Sequence, residues 1–198
     1  ASDWSSDVSL PICTAAVTAV ALQHAAPQPV KRVLLPGSGI HAQAHLQMLR
    51  QLFPGLAQTG VWNRTPGKIL PAADLTVETD LQQALAQPYD AVITCTSADQ
   101  PMLTETAVRP GRIVIQVGYH EVSFDAIRVS DRVVVDAWGD FAERSAKSLF
   151  QMYRAGLFRP QGVAADLAAL LLDGWRAAAD GSVYFSSFGL NVFDIALA

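Results

Sequence analysis

Short apolar, β-branched runs alternate along this chain with stretches whose apolar residues recur every three to four positions. The runs at 32–35, 60–63, 75–78, 90–95, 112–117 and 132–136 are bounded by turn residues and apolar almost throughout, the pattern of strands buried on both faces. Between them, 41–52, 80–87, 104–108 and 123–129 read as helices. Such alternation builds βαβ units and predicts an α/β chain: a Rossmann-type, doubly wound, mostly parallel sheet with flanking helices from the chain ends. After Asp136 the rhythm changes. Residues 140–156 and 164–179 read as helices, the second with Leu167, Leu170, Leu171 and Trp175 on one packing face. The tail from Val183 to Asp194 reads as a strand, a glycine turn and a short helix. The expected organisation is an N-terminal segment with a linking helix (1–29), a central α/β domain (30–160), and a C-terminal helix, strand and tail (161–198) packing back on the rest of the protein.

The first strand runs into Gly37-Ser38-Gly39-Ile40-His41-Ala42 and then directly into a helix. A glycine at the first position allows a tight turn, and one at the second lets backbone approach a pyrophosphate. A small third residue lets helix pack on strand, and the helix N-terminal amides then face the anion. The strand before and helix after supply the context this motif requires, so the chain is expected to bind a dinucleotide. The end of the second strand selects the type. About 25 positions beyond Gly37, where an acid would hold a ribose 2′-hydroxyl, stand Asn63, Arg64 and Thr65. Their amide, guanidinium and hydroxyl suit a 2′-phosphate, which favours NADP(H) over NAD(H). With Pro66 and Gly67, the same residues also suit a plain polar turn.

Composition narrows the partners. A net charge of −4 with no Lys/Arg run argues against nucleic acid and anionic membranes. The Ala-rich run Thr14–Ala26 is short for a bilayer and holds Gln23 and His24, so neither a span nor a leader is expected. With 51% hydrophobic and 16% charged residues, some apolar surface is expected to meet another subunit or a missing part of the chain, the faces around Thr14–Ala26 and Val183–Leu197 driving self-association, as in a homodimer, or pairing with another chain. Two cysteines, Cys13 and Cys95, lie far apart without metal-ligand spacing, which predicts a reduced, cytoplasmic protein. Cys13, read as preceding a helix, is a packing residue or a thiol activated by the helix terminus. His41 and His45 share a helix face at i, i+4, but no Glu between them completes a zinc motif.

Six segments in this order resemble the ornithine cyclodeaminase/mu-crystallin family: Thr14–Ala19, Gly37–His45, Val61–Pro66, Thr94-Cys-Thr-Ser97, Gln116-Val-Gly118 and Ser187–Asp194. The resemblance implies ketimine reductase chemistry on cyclic imino acids of the pyrroline- and piperideine-2-carboxylate type, with ornithine cyclodeaminase and amino-acid dehydrogenase as related activities. It adds Thr94, Thr96, Ser97, Val117, Gly118, Ser187 and Gly189 to the coenzyme-binding set of Gly37, Ser38, Gly39, Ile40, Ala42, Asn63, Arg64 and Thr65. The Trp62–Thr65 ending resembles the NADPH-using, mu-crystallin-like side.

Two departures from the family pattern bear on catalysis. The family carries a carboxylate-gripping Arg where this chain has Cys13, and a proton-transferring acid where it has His120. The family also implies a preceding mixed sheet with a substrate-facing Lys and Arg. Without these groups the 198 residues are expected to bind coenzyme and catalyse poorly, as a non-catalytic, crystallin-like binder would. His120 follows a strand at the rim where such sheets hold ligands, and an imidazole there can protonate an imine nitrogen near neutral pH. It is the candidate catalytic residue, with Glu121 as a second acid or as its orienting partner; a partly exposed loop histidine is the simpler alternative.

Overall fold

The computed structural model describes residues 9–188. Eight strands form one parallel sheet in the order β3-β2-β1-β4-β5-β8-β6-β7. They are β1 (Arg32–Pro36), β2 (Gln58–Trp62), β3 (Thr76–Glu78), β4 (Ala91–Thr94), β5 (Ile113–Gln116), β6 (Arg132–Val135), β7 (Val163–Ala165) and β8 (Val183–Ser186). The helices are α1 (Ser9–His24), α2 (Ile40–Leu52), α3 (Leu81–Ala86), α4 (Phe124–Val129), α5 (Ser148–Arg154) and α6 (Leu167–Leu171). This is the Rossmann-type architecture the apolar pattern predicts. All six strands expected before Asp136 are present, each end within two residues of its expected place.

Strand residues alternate between two cores, as the two-residue period of a pleated strand requires. Val33, Leu35, Ile93, Ile113, Ile115, Val183 and Phe185 face the side covered by α1, α2 and α6. Leu34, Val92, Val114, Val133, Val135 and Tyr184 face the side covered by α3, α4 and α5. Both faces are covered, which is why the strands read as continuous apolar runs. The last strand, β8, is not an edge: it lies between β5 and β6, with Val183 opposite both Ile113 and Arg132. Much of the apolar excess is thereby buried within the chain, including Val17, Ala21 and Leu22 of α1 and Val183, Tyr184 and Phe185 of β8.

After Asp136 the structure departs from the expected pair of long helices. Residues 140–156 form a one-turn helix (Asp140–Glu143), an extended link and the short α5. The helix is interrupted because Lys147 and Ser148 turn to the loop after β5, where Lys147 Nζ bonds the Val117 carbonyl and Ser148 N bonds that of Tyr119. Residues 164–179 divide into the end of β7 and the five-residue α6, which stops before Gly174, at φ +67°. Trp175 therefore lies beyond the helix that was expected to carry it, although it still packs on the core. The run 104–108 contributes only one turn, Glu105–Ala107. Cys13 sits inside α1, buried, rather than before a helix. The glycine turn and short helix expected after β8 lie outside the described residues.

Phe185 is fully buried in a central strand. Phe185→Ala should lower the unfolding free energy in urea by about 3–5 kcal/mol. Leu172→Ala, at a side chain 82% exposed, should change it by less than about 0.5 kcal/mol.

Candidate functional site

The phosphate-type turn leaves β1 at a topological switch point, since β2 and β3 lie to one side of β1 and β4 to the other. Its two glycines have different causes. Gly37 adopts φ +128°, and a Cβ there would stand 2.2 Å from the Cys95 carbonyl oxygen, so the protein itself excludes a side chain. Gly39 has an ordinary φ of −77°, and a Cβ added to it would meet no atom of the described residues within 4 Å. Gly39 also caps α2 without any side-chain bond, which leaves the first-turn amides for another acceptor. Unclaimed helix amides beside open space suit the pyrophosphate of a dinucleotide. Ala42 is fully buried against the sheet and Ile40 is exposed at the mouth.

Asn63 joins this turn to the end of β2. Its Nδ2 donates to Ser38 Oγ at 2.7 Å, and its Oδ1 accepts from Thr65 N at 2.8 Å. Both ends of the amide thus shape the loop, and Arg64 and Thr65 stand exposed beside it. Lys68, in the one-turn helix Pro66–Lys68, adds a nearby cation that the sequence did not single out.

At the ends of β4 and β5 the organising group is Glu121, which has no solvent exposure. Its Oε1 accepts from Thr96 N (2.7 Å) and Thr96 Oγ1 (2.8 Å), and its Oε2 from Thr94 Oγ1 (2.7 Å) and Gly118 N (2.8 Å). The hydroxyls of Thr94 and Thr96 therefore face a protein carboxylate, while Ser97 stands exposed on the rim. Glu121 anchors these two strand ends and makes no bond to the His120 ring.

His120 is held by a hydrogen-bond chain that starts in β8. Tyr184 OH donates to Gln116 Oε1, and Gln116 Nε2 donates to the Tyr119 carbonyl (2.9 Å) and to Ser148 Oγ (3.3 Å). Ser148 Oγ lies 3.3 Å from His120 Nδ1. A hydroxyl donates or accepts a hydrogen bond as needed, so Ser148 holds Nδ1 with the ring neutral or charged and leaves Nε2 for other partners. Lys147 Nζ donates to the Val117 and Gly118 carbonyls at 2.7 and 2.9 Å. Burial, opposed by the charges of Glu121 and Asp136, brings its ammonium down to about 8. Ser187, 1% exposed just after β8, has a hydroxyl without a hydrogen-bond partner among the described residues, and Gly189 lies outside them.

Sequence reasoning missed Lys147, Gln116 and Ser148. The one available signal was a lysine set in the run Ser145-Ala-Lys-Ser-Leu-Phe150, with no acidic residue beside it.

A family model described as the ornithine cyclodeaminase/mu-crystallin family matches residues 10–198. The chain belongs to that family. It is 24% identical over 196 residues to the N-((2S)-2-amino-2-carboxyethyl)-L-glutamate dehydrogenase of Staphylococcus aureus, covering 93% of this chain and 58% of that protein. It is 26% identical over 192 residues to the ketimine reductase mu-crystallin of Rattus norvegicus, covering 93% of this chain and 59% of that protein. The chain thus spans about three-fifths of the length of these relatives. In fold it is similar to Δ1-pyrroline-2-carboxylate reductase of Thermococcus litoralis, solved with NADH and L-proline. That match has a TM-score of 0.81 and 19% identity, and covers 95% of this chain and 62% of that one.

Within this family framework, the two histidines of α2 separate. His45 is fully buried, its Nε2 2.9 Å from Thr18 Oγ1 of α1 and its Nδ1 2.7 Å from the His41 carbonyl. Burial lowers its pKa from 6.5 to about 4, so the folded protein keeps it neutral where the unfolded chain protonates it. Its contribution to stability is complete above 6.5 and is lost as pH falls from there toward 4. Between pH 7 and 5 this should cost about 2 kcal/mol in urea unfolding, and His45→Gln should flatten that slope. An equal slope in the variant would show that other groups cause it.

Proposed function

We propose that this chain is the NADP(H)-binding portion of a reductase that adds hydrogen across the C=N bond of a small cyclic imino acid, of the pyrroline- or piperideine-2-carboxylate type. The observation that carries the coenzyme assignment is the contrast between the two glycines: the fold demands Gly37, whereas Gly39 keeps open a space beside unclaimed helix amides. The choice of NADP(H) rests on exposed Arg64 and Thr65, with no carboxylate at the end of β2. The reaction class is supported by the family, by the rat relative named ketimine reductase, and by an imidazole at the rim.

When bound, the coenzyme supplies the hydride that the imine carbon receives. The chain's own part is to hold the anion at the α2 N-terminus and a proton at His120 Nε2. The imidazolium gives that proton to the substrate nitrogen, and the ring is left neutral with Nδ1–H donating to Ser148 Oγ. A secondary amine results.

Calorimetry should show NADPH binding at least about tenfold more tightly than NADH, one charge-assisted contact being worth about 1.5–3 kcal/mol. Arg64→Ala should erase that preference, and equal affinities in the wild type would overturn it. Gly39→Val should abolish binding of both coenzymes without moving the urea midpoint; unchanged binding would mean the turn is not the phosphate site.

The chemical step is tested with pyrroline-2-carboxylate and NADPH. Where the substrate-facing groups implied by the family are supplied, His120→Ala should lower kcat by about 10²–10⁴ with the NADPH affinity unchanged, while the 198 residues alone turn over slowly. An unaltered kcat removes His120 from the reaction, and ammonia release from ornithine without net NADPH consumption would mark a cyclodeaminase instead.

A further inference from the structure

Lys147 is the strongest chemical group at the rim that the proposed reaction leaves without a task. It is 2% exposed, in extended backbone just before α5, and its ammonium donates to two carbonyls of the loop that carries His120. An ammonium has three protons, so one N–H remains beyond those two bonds. Glu121 does not pair with it, because four other donors occupy the two oxygens of that carboxylate. The ion pairs between described residues, Arg50–Asp74 and Asp125–Arg128, lie elsewhere. Burying a charge is costly, and a neutral donor could serve the two carbonyls without that cost, so the bonds alone do not call for a positive charge here.

The charge is placed to be felt. The titratable groups around it come from each neighbouring element: His41 from α2, Cys95 after β4, Tyr119 and Glu121 after β5, and Asp136 after β6. The Tyr119 ring centre is 5.6 Å from Nζ. His41 is the second residue of the phosphate-side helix, and the Lys147 charge helps to hold its imidazole below the ordinary value, after burial itself. The field of this ammonium thus reaches the first turn of α2.

We propose that Lys147 is a positioning residue of the coenzyme site, which fixes the Val117 and Gly118 carbonyls and supplies a buried positive charge that strengthens binding of the anionic dinucleotide. The proposal rests on the dinucleotide reading. Its consequence follows from linkage. Burial brings the ammonium down to about 8, and a nearby bound anion raises that value. The protonated protein then binds coenzyme more tightly than the deprotonated one, and affinity weakens as pH rises through about 8. Neighbouring groups do not mimic this: burial pushes the Cys95 thiol well above its ordinary range, and His41 is shifted down. The same charge acts on NADPH and NADH alike, unlike that of Arg64.

The test is fluorescence titration of NADPH and of NADH against the wild-type chain from about pH 7 to about pH 9.5. A one-unit rise of the lysine pKa on binding predicts Kd weakening by up to about tenfold across that range, in equal ratio for the two coenzymes. Lys147→Met, checked for cooperative urea unfolding, should bind about tenfold more weakly at pH 7 and show no alkaline loss. Lys147→Arg, charged throughout the range, should bind without the alkaline loss; a purely structural lysine would leave the pH profile of Kd flat in every variant. A flat wild-type profile, or wild-type affinity in Lys147→Met at pH 7, overturns the proposal while leaving coenzyme binding intact. Absence of binding by the wild type at any pH overturns the dinucleotide reading itself, and this proposal with it.

Discussion

The carboxylate of Glu121 sits at zero exposure, and a charge so placed is tolerated because four donors from the ends of β4 and β5 converge on its two oxygens. Parallel strands end together at one edge, where their last amides and carbonyls have run out of ladder partners. Glu121 takes the amides of Thr96 and Gly118; Lys147, Ser148 and Gln116 take the carbonyls of Val117, Gly118 and Tyr119. The loop that presents His120 is held from both sides. A rim fixed in this way can offer a ligand a preformed surface without ordering it at the moment of binding.

How much of this was legible in the sequence depends on the range of the interaction. The central strands β1, β4, β5 and β6 could be read because they are apolar runs bounded by turn residues, and the shorter, more polar β2 and β3 from their β-branched residues and their place in the alternation, all local signals. The phosphate-type turn could be read because its glycines, strand and helix are contiguous. The break at Ser145–Lys147 could not, because its cause is a bond from Lys147 to Val117, thirty positions away. The two glycines of the turn look equivalent in the sequence, and only the structure shows that one avoids the Cys95 carbonyl while the other faces open space. Thr94 and Thr96 have the residue types of ligand-binding groups, yet their hydroxyls are directed to Glu121. Nothing in a linear pattern separates a threonine that faces a ligand from one that supports the wall behind it.

The two most deeply set cations show how the opposite edges of the sheet differ. Arg112, 3% exposed, lies at the N-terminal edge and donates to the carbonyls of Leu85, Gln87, Tyr89 and Ala107, closing the end of α3 against the strands. Its fork matches that cluster, and burial brings it down to about 10, so it stays charged across the neutral range. Lys147, at the opposite edge, is a point charge with fewer carbonyls to satisfy and a titration near 8. One cation completes the scaffold; the other stands where the scaffold ends.

That asymmetry bears on how an acidic chain holds an anion. With a net charge of −4, the protein's overall field repels a polyphosphate, and at physiological ionic strength it is screened within about 8 Å. Attraction has to be local, and each local device visible here works at short range. In the proposed reading, the unclaimed amides of α2 would act through hydrogen bonds and the helix dipole, Arg64 through an exposed guanidinium, and Lys147 through a buried charge that solvent screens least. Of the three, the exposed guanidinium is the most weakened by salt. The helix terminus cannot be removed without unfolding α2. Of the three, the buried ammonium is the one whose charge proton concentration can remove, and the proposed coupling of coenzyme affinity to pH rests on that difference.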